Sequence, residues 1–248
     1  MSDISWLLLP ILFIVALIYS SVGLGGGSSY IAVLYLFGIP LIEIPPLALF
    51  FNIIVSAVAV YRFGRSGYVI PRLAFPFLLF SIPAVFFGSR LELEEKTLSI
   101  VFMVVLFLVA LALLFKKKEA QTKLALSQKG VWILAPVLGT VLGFLAGVIG
   151  IGGGIFLGPV LLLIGFASSK HVAGICSVFV LVNSIFGLSF HYLQGGVDVS
   201  GLLLLGGVVF VGAQLGSFLG TKKISPLVLQ KTFALLLLYV SIKLGLGI

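Results

Sequence analysis

The chain has 248 residues, of which 61% are hydrophobic and 9% are charged, and its mean hydropathy is +1.33. Because soluble domains carry about 25% charged residues, this composition excludes a soluble globular protein and predicts an all-α polytopic membrane protein. One cysteine and two histidines are too few for a disulfide framework or a histidine-rich metal site. The chain has a net charge of +8 but no basic helix. The charge therefore indicates the orientation of the protein in the membrane and not a nucleic-acid partner.

Ten apolar segments follow one another along the chain, and a membrane helix needs about 20 such residues. Two of the segments, 28–38 and 154–165, are too short to span a bilayer alone, and each follows a glycine-rich break. The sequence therefore predicts about 8–10 helical segments. The eight long ones are 4–22, 44–61, 69–88, 97–115, 131–149, 171–190, 199–219 and 227–246.

Positive charge is concentrated in four of the connections, and the positive-inside rule places such connections in the cytoplasm. The other connections are mainly acidic and are predicted to be external. This pattern is consistent only if each broken segment, 4–38 and 131–165, crosses the membrane an even number of times, as a re-entrant hairpin or as one long and one short crossing. Both termini are then external, and the loop 116–130 is cytoplasmic. The basic residues concerned are Arg62, Arg65, Arg72, Lys116, Lys117, Lys118, Lys123, Lys129, Lys170, Lys222 and Lys223.

The chain contains an internal repeat. The segment GLGGGSSYIAVLYLFGIP from Gly23 is similar to GIGGGIFLGPVLLLIGFA from Gly150, at an offset of 127 residues. Two further matches follow in the same order, at offsets of 131 and 128 residues. They are Asn52 with Asn183, and FFGSRL (86–91) with QLGSFL (214–219).

The charge bias changes between the two copies of the repeat. The loop 62–72 is basic but its counterpart 191–198 is not, whereas the loop 90–96 is net acidic and its counterpart 220–223 is basic. Such a change indicates inverted-topology repeats, which are common in secondary transporters. Each repeat is predicted to contain a glycine-broken or re-entrant first helix and three further spans. The predicted units are a first transmembrane repeat 1–115, a basic cytoplasmic linker 116–130 and a second transmembrane repeat 131–248.

Two runs of three glycines stand at matching positions of the two repeats. Each glycine disfavours a helix by about 1 kcal/mol relative to alanine, and irregular backbone inside a membrane is tolerated only within protein or at a water-filled cavity. A half-helix that begins after such a break presents free N–H groups and a positive dipole end, which can bind an anion. The alternative is close helix packing, since Gly23 with Gly27, and Gly150 with Gly154, also fit GxxxG. The runs are Gly25, Gly26 and Gly27, and Gly152, Gly153 and Gly154.

Asn52 and Asn183 are amides well inside apolar spans, where a buried amide must form hydrogen bonds. As a matched pair they are predicted to contact the anion, and the alternative is a link between helices worth about 0.6 kcal/mol. Ser28 supplies a hydroxyl after the first break, whereas the second repeat has Ile155 there, so the predicted site is asymmetric. Three weaker candidates, which either line the path or bond to the backbone, are Ser56, Ser177 and Gln214.

No carboxylate falls clearly within a span, and no nucleophile–base pair or metal-ligand set is found at a common depth. Intramembrane carboxylates are the usual carriers of protons and cations in transporters, so their absence weakens a model based on them. The sequence predicts that the protein is not an enzyme, with no catalytic residues, no cofactor and no metal.

The chain resembles the TauE/SafE family of membrane permeases over nearly its whole length. The features that carry the resemblance are the two glycine motifs, the two asparagines, the GS elements at 88–89 and 216–217, and the basic linker. The resemblance implies transport of a small sulfur-containing oxyanion, such as sulfite, sulfoacetate or another organosulfonate. It also implies that the broken-helix glycines and the asparagines surround the substrate.

The sequence and the resemblance together predict a multi-pass protein of the cell membrane that acts as a secondary transporter. It would move such an anion by alternating access about a midplane site. Its predicted partners are a small inorganic or organic anion and the lipid bilayer, and a homodimer is left open. Two other classes are an anion channel or permease for another small anion, and a membrane scaffold, in which the repeated breaks would serve no purpose.

Overall fold

A computed structural model of the chain describes residues 6–39, 43–89, 128–149, 152–195 and 202–245, together with isolated positions between 103 and 115. These residues contain nine continuous α-helices and no strand, so the all-helical prediction is confirmed. The helices are α1 (Leu8–Ser21), α2 (Gly27–Leu36), α3 (Ile44–Arg65), α4 (Pro71–Gly88), α5 (Gln128–Ile149), α6 (Gly154–Leu163), α7 (Ser169–Gly195), α8 (Leu202–Phe218) and α9 (Pro226–Gly245), with a π-helical turn (Leu219–Lys223) after α8.

Five of the eight long segments predicted to cross the membrane contain helices that are long and apolar enough to do so, in α3, α4, α5, α7 and α8. The predicted span 4–22 contains α1, which is 14 residues long, and the predicted span 227–246 coincides closely with α9. The span 97–115 lies outside the described residues apart from isolated positions. Because α5 begins at Gln128, the last three residues of the predicted linker 116–130 are helical.

The two predicted helix breaks are present, and left-handed glycines cause them. The α2 N-cap Gly26 has φ of 91°, and the α6 N-cap Gly153 has φ of 71°. Only glycine adopts this region without a steric penalty, and an α-helix cannot continue through it. Each break is therefore followed by a short apolar helix of ten residues, too short to span a bilayer.

Two helix pairs pack through rows of glycines spaced four residues apart. α5 packs along α4, and α8 with its π-helical turn packs along α1. A Cβ atom on any of these glycines would fall within about 2.0–2.7 Å of the backbone of the partner helix. This is close GxxxG-type contact, and it accounts for six glycines outside the breaks. The glycines are Gly139, Gly143 and Gly147 on α5, and Gly212, Gly216 and Gly220 on α8 and the turn.

Replacing Gly143 with leucine is expected to lower the melting temperature in detergent, at a cost of about 1–3 kcal/mol from overpacking. The added side chain would collide with the backbone of Ser81 on α4. Gly207 on α8 gives the matched control, because no atom lies within 4 Å of a Cβ placed there. If Gly143→Leu and Gly207→Leu melted at the same temperature, the packing role of the glycine row would be wrong.

The helix contacts of α1–α4 recur in α5–α8. α1 packs on α8 as α5 packs on α4, α3 contacts α8 as α7 contacts α4, and α2 contacts α3 as α6 contacts α7. The remaining large contact joins α3 to α7, and these two helices are counterparts of each other in the sequence repeat. Within the described residues, the pattern of contacts therefore maps onto itself when the first four helices are exchanged with the next four.

Basic side chains gather at one end of the bundle, which we call the basic end. Arg62 on α3 donates to Gln214 Oε1 on α8 at 3.0 and 3.2 Å, and Lys170 on α7 donates to the Thr221 carbonyl oxygen at 2.8 Å. Three of the four connections predicted to be cytoplasmic therefore meet at one end. The residues that define the basic end are Arg62, Arg65, Lys170, Lys222 and Lys223.

Candidate functional site

The two glycine breaks come together between α3 and α7. Gly25 packs against Asn52 and Val180, and a Cβ atom on Gly25 would overlap the side-chain amide of Asn52. A Cβ atom on Gly152 would lie 3.3 Å from Asn52 Nδ2 and 3.4 Å from Val180 Cγ1. Gly154 packs on the same valine. We call this set of residues, Gly25, Gly152, Gly154, Asn52 and Val180, the glycine junction.

The glycine junction lies at an intermediate depth in the bundle. Asn52 follows Ile44, the first residue of α3, by eight residues and precedes Arg65, the last, by 13. These separations correspond to roughly 12 and 20 Å along the helix axis. Val180 follows Ser169, the first residue of α7, by 11 residues, or roughly 16 Å. The junction is therefore well inside the apolar part of both helices.

Two half-helices begin at the glycine junction and lead away from it in opposite directions. α6 continues from Gly154 to Gly158, which contacts Cys176, one helical turn nearer the basic end than Val180. α2 leads to the opposite end, because a short connection joins its last residue to the first residue of α3. The N-termini of α2 and α6 thus face each other across the junction.

The first turns of both half-helices leave amide groups for a ligand. In α2 the N–H groups of Ser29 and Tyr30 donate to the carbonyl oxygen of Gly26 at 2.9 and 3.0 Å. The N–H groups of Gly27 and Ser28 come earlier in that turn, where a helix supplies no acceptor. The same holds for the first residues of α6. The positive ends of two helix dipoles therefore converge on one place, which favours an anion.

A small cavity opens at this place. Its volume of about 10 Å³ is close to the minimum that holds one water molecule. A sulfur oxyanion, whose sulfur atom is bonded to three or four other non-hydrogen atoms, is larger than this volume. The cavity is lined by Tyr19, Leu24, Gly25, Gly26, Gly27, Ser28, Gly154, Ile155 and Val180.

The two predicted asparagines do not have equivalent surroundings. Asn52 is buried at the junction, whereas Asn183 accepts a hydrogen bond from Ser81 Oγ on α4 at 3.0 Å. The hydroxyl that lies beside the second break belongs to Ser184, whose Oγ would be 2.7 Å from a Cβ atom on Gly152. Of the predicted matched pair of amides, Asn52 lies against the second break together with the Ser184 hydroxyl, and the part of Asn183 in substrate contact stays a prediction.

The remaining predicted site residues lie close to the junction. Gly26 packs against Tyr19 and Tyr30, and Gly153 packs against Ala146 and Phe179. Gly27 and Ser28 form the first turn of α2 and line the cavity. Ser28 is 4% exposed, and its Oγ has no hydrogen-bond partner among the described residues.

The three weaker candidates form local or interhelical bonds. Ser56 Oγ donates to the carbonyl oxygen of Asn52, and Ser177 Oγ donates to that of Gly174 at 2.8 Å. Gln214 accepts from Arg62 at the basic end. For the two serines the structure supports the backbone-bonding alternative. Sequence reasoning missed Ser184 and Val180, although Ser184 is adjacent to a predicted residue.

Two similar proteins indicate the class of protein to which the chain belongs. The chain is 29% identical over 233 residues to the probable membrane transporter protein y4hK of Sinorhizobium fredii, covering 94% of both chains. It is 25% identical over 224 residues to the probable membrane transporter protein YdhB of Bacillus subtilis, covering 87% of this chain and 89% of the relative. No solved structure matches the chain. The fold and these relatives define a multi-pass membrane transporter, not an enzyme.

A sequence profile identifies the family of membrane transporters to which the chain belongs. The sequence profile of the family described as sulfite exporter TauE/SafE matches residues 8–244, which is nearly the whole chain. The protein therefore belongs to the sulfite exporter TauE/SafE family, and the resemblance noted from the glycine motifs is confirmed.

Proposed function

We propose that the protein is a secondary transporter that moves a small sulfur-containing oxyanion, such as sulfite, sulfoacetate or another organosulfonate, across the cytoplasmic membrane. The observation that carries the proposal is the meeting of two half-helix N-termini at the glycine junction. Backbone N–H groups and two helix dipoles attract an anion there. Asn52 and Ser184 add side-chain groups that can donate hydrogen bonds to oxyanion oxygens.

The proposed architecture is a pair of inverted-topology repeats, 1–115 and 131–248, joined by the cytoplasmic linker 116–130. The repeated pattern of helix contacts supports this architecture, because each helix of α1–α4 and its counterpart in α5–α8 contact corresponding neighbours. The opposite directions of α2 and α6 support it as well, since an inverted repeat turns the second half-helix over. In this arrangement the basic end is cytoplasmic, and both termini are external.

The proposed mechanism is alternating access about the glycine junction. The water-sized cavity supports this, because a substrate enters only when the helices around the junction separate. An inverted repeat provides two related ways of separating them, one toward each side of the membrane. A negative-inside potential drives anions outward by about 2.3 kcal/mol per charge per 100 mV, so export is the favoured direction.

Flux measurements in proteoliposomes test the proposal. Proteoliposomes that contain the purified protein are expected to take up radiolabelled sulfite with saturable kinetics. Unlabelled sulfite inside the liposomes should accelerate this uptake by counter-exchange. Sulfoacetate, methanesulfonate, thiosulfate, sulfate and small carboxylates serve as competitors in the same assay. No uptake of any sulfur oxyanion would contradict the proposed function.

The same assay separates the two alternatives. An anion channel would give a flux that neither saturates at low substrate concentration nor shows counter-exchange. A permease for another small anion would show saturable uptake that a carboxylate or another non-sulfur anion inhibits better than sulfite does.

A further inference from the structure

The last helix brings a positive charge to the first glycine break. Lys243 lies in the final turn of α9, and its Nζ donates to the carbonyl oxygen of Ser28 at 2.6 Å. Ser28 is separated from Lys243 by 215 residues in sequence, so this contact depends on tertiary packing. Ser28 also lines the cavity at the junction and has a buried hydroxyl without a partner among the described residues. An ammonium group is thus placed beside a residue that lines that cavity.

Lys243 differs from the other charged side chains that the structure describes. Arg62, Arg65, Lys170, Lys222 and Lys223 define the basic end, Arg72 begins α4, and Lys231 is near the start of α9, where it donates to the carbonyl oxygen of Leu114. The only acidic residue in the described part of the chain is Glu43, the N-cap of α3. No ion pair of Lys243 with a carboxylate is found in that part.

A lysine ammonium has three N–H donors and carries no acceptor. In Lys243 one donor is directed to the Ser28 carbonyl, which leaves two for another partner. Charged side chains in membrane bundles are costly, pair with one another or with backbone carbonyls, and mark substrate or ion pathways. The position of Lys243 beside the N-terminus of α2 adds a full positive charge to the partial charge of the helix dipole.

We propose that Lys243 binds the negative charge of the transported anion beside Ser28, on the α2 side of the glycine junction. This inference rests on the proposed function and adds a substrate-binding residue outside both glycine motifs. The site then consists of backbone N–H groups from both half-helices, the side chains of Asn52 and Ser184, and a single formal charge from α9. It follows that the affinity of the site for anions depends on Lys243, whereas the movement of the helices does not.

The test is the KM for radiolabelled sulfite in proteoliposomes that contain wild-type protein or Lys243→Gln. Glutamine retains an N–H donor for the Ser28 carbonyl but removes the charge. We expect the KM to rise at least tenfold, or about 1.4 kcal/mol, while the maximal rate changes by less than about threefold. Lys243→Arg, which keeps the charge, is expected to stay near the wild-type KM.

The matched control is Lys231→Gln, which removes a lysine from the same helix at the basic end. Its KM is expected to equal that of the wild type. A lysine that merely supported the fold would change the maximal rate or the melting temperature, and the KM would be unaffected. If wild-type protein transports sulfite and Lys243→Gln keeps the same KM, the inference fails and the proposed function stands. If wild-type protein transports no sulfur oxyanion, the proposed function fails first.

A cysteine variant tests the role of the positive charge at position 243 with a single preparation of folded protein. Lys243→Cys treated with 2-aminoethyl methanethiosulfonate regains an ammonium group, whereas methyl methanethiosulfonate adds a neutral group to the same sulfur. The native chain has a single cysteine, Cys176, and it is buried. We expect only the charged reagent to restore a low KM for sulfite. Equal effects of both reagents, or no effect of either, would overturn the assignment of Lys243.

Discussion

Gly25→Ala is expected to reduce the rate of sulfite transport at least tenfold, which corresponds to about 1.4 kcal/mol or more. Gly25 has no left-handed φ, so alanine is compatible with the backbone. The added methyl group, however, would occupy the space of the Asn52 amide and would lie 2.7 Å from Val180 Cγ1. Asn52 would be displaced, and the two half-helices could not approach each other as closely as they do.

The measurement is the initial rate of sulfite uptake in proteoliposomes at equal protein content. Gly64→Ala is the matched control, because Gly64 also lacks a left-handed φ and the atom nearest to its added Cβ is 3.9 Å away. It should transport sulfite at the wild-type rate. Wild-type transport by a folded Gly25→Ala protein would show that close approach at the junction is not required.

Asn52→Leu is expected to lower kcat/KM for sulfite by roughly ten- to a hundredfold, because a hydrogen bond to a charged group contributes about 1.5–3 kcal/mol. Leucine keeps the branched shape of asparagine but is larger and has no polar atom. The sequence predicts the same effect for Asn183, but in the structure Asn183 Oδ1 already accepts a hydrogen bond from Ser81 Oγ on α4. Asn183→Leu is therefore expected to affect the melting temperature more than kcat/KM.

The pair of variants is measured in the same proteoliposome assay, with thermal unfolding in detergent beside it. Ser81→Ala provides the control for Asn183, since it removes the other partner of that hydrogen bond. If Asn183→Leu lost transport as strongly as Asn52→Leu while Ser81→Ala had no effect, the two asparagines would both belong to the site. The inferred difference in role between Asn52 and Asn183 would then be wrong.

The breaks could be predicted from sequence because they depend on local backbone geometry. Runs of glycine disfavour a helix wherever they occur, and Gly26 and Gly153 adopt the left-handed conformation that only glycine tolerates well. The coarse class was predictable as well, since composition and charge placement follow from the bilayer. The sequence repeat alone predicts the correspondence between α1–α4 and α5–α8.

The partners of the side chains could not be predicted, because they depend on packing between segments distant in sequence. The repeat aligns Asn183 with Asn52, yet Ser184, one residue later, lies against Gly152. A shift of one residue on a helix turns a side chain by about 100°, and a sequence match does not resolve such a rotation. The contact of Lys243 with Ser28 could not be predicted either, because 215 residues separate the two in sequence.

The glycines at the breaks and the glycines in the two rows have different roles. The glycines at the breaks allow the backbone to turn and the half-helices to meet Asn52 and Val180. The rows on α5 and α8 allow two helix pairs to pack at close range, and both rows belong to the second half of the chain. The two groups predict different phenotypes, since substitution at a break impairs transport and substitution in a row lowers stability.

The central claim is that the glycine junction binds the transported anion, and equilibrium binding of radiolabelled sulfite to the purified protein tests it most directly. We predict saturable binding of one sulfite per chain that unlabelled sulfoacetate displaces, that Gly25→Ala loses and that Gly64→Ala retains. Absence of saturable binding by wild-type protein, or undiminished binding by a folded Gly25→Ala protein, would contradict the claim.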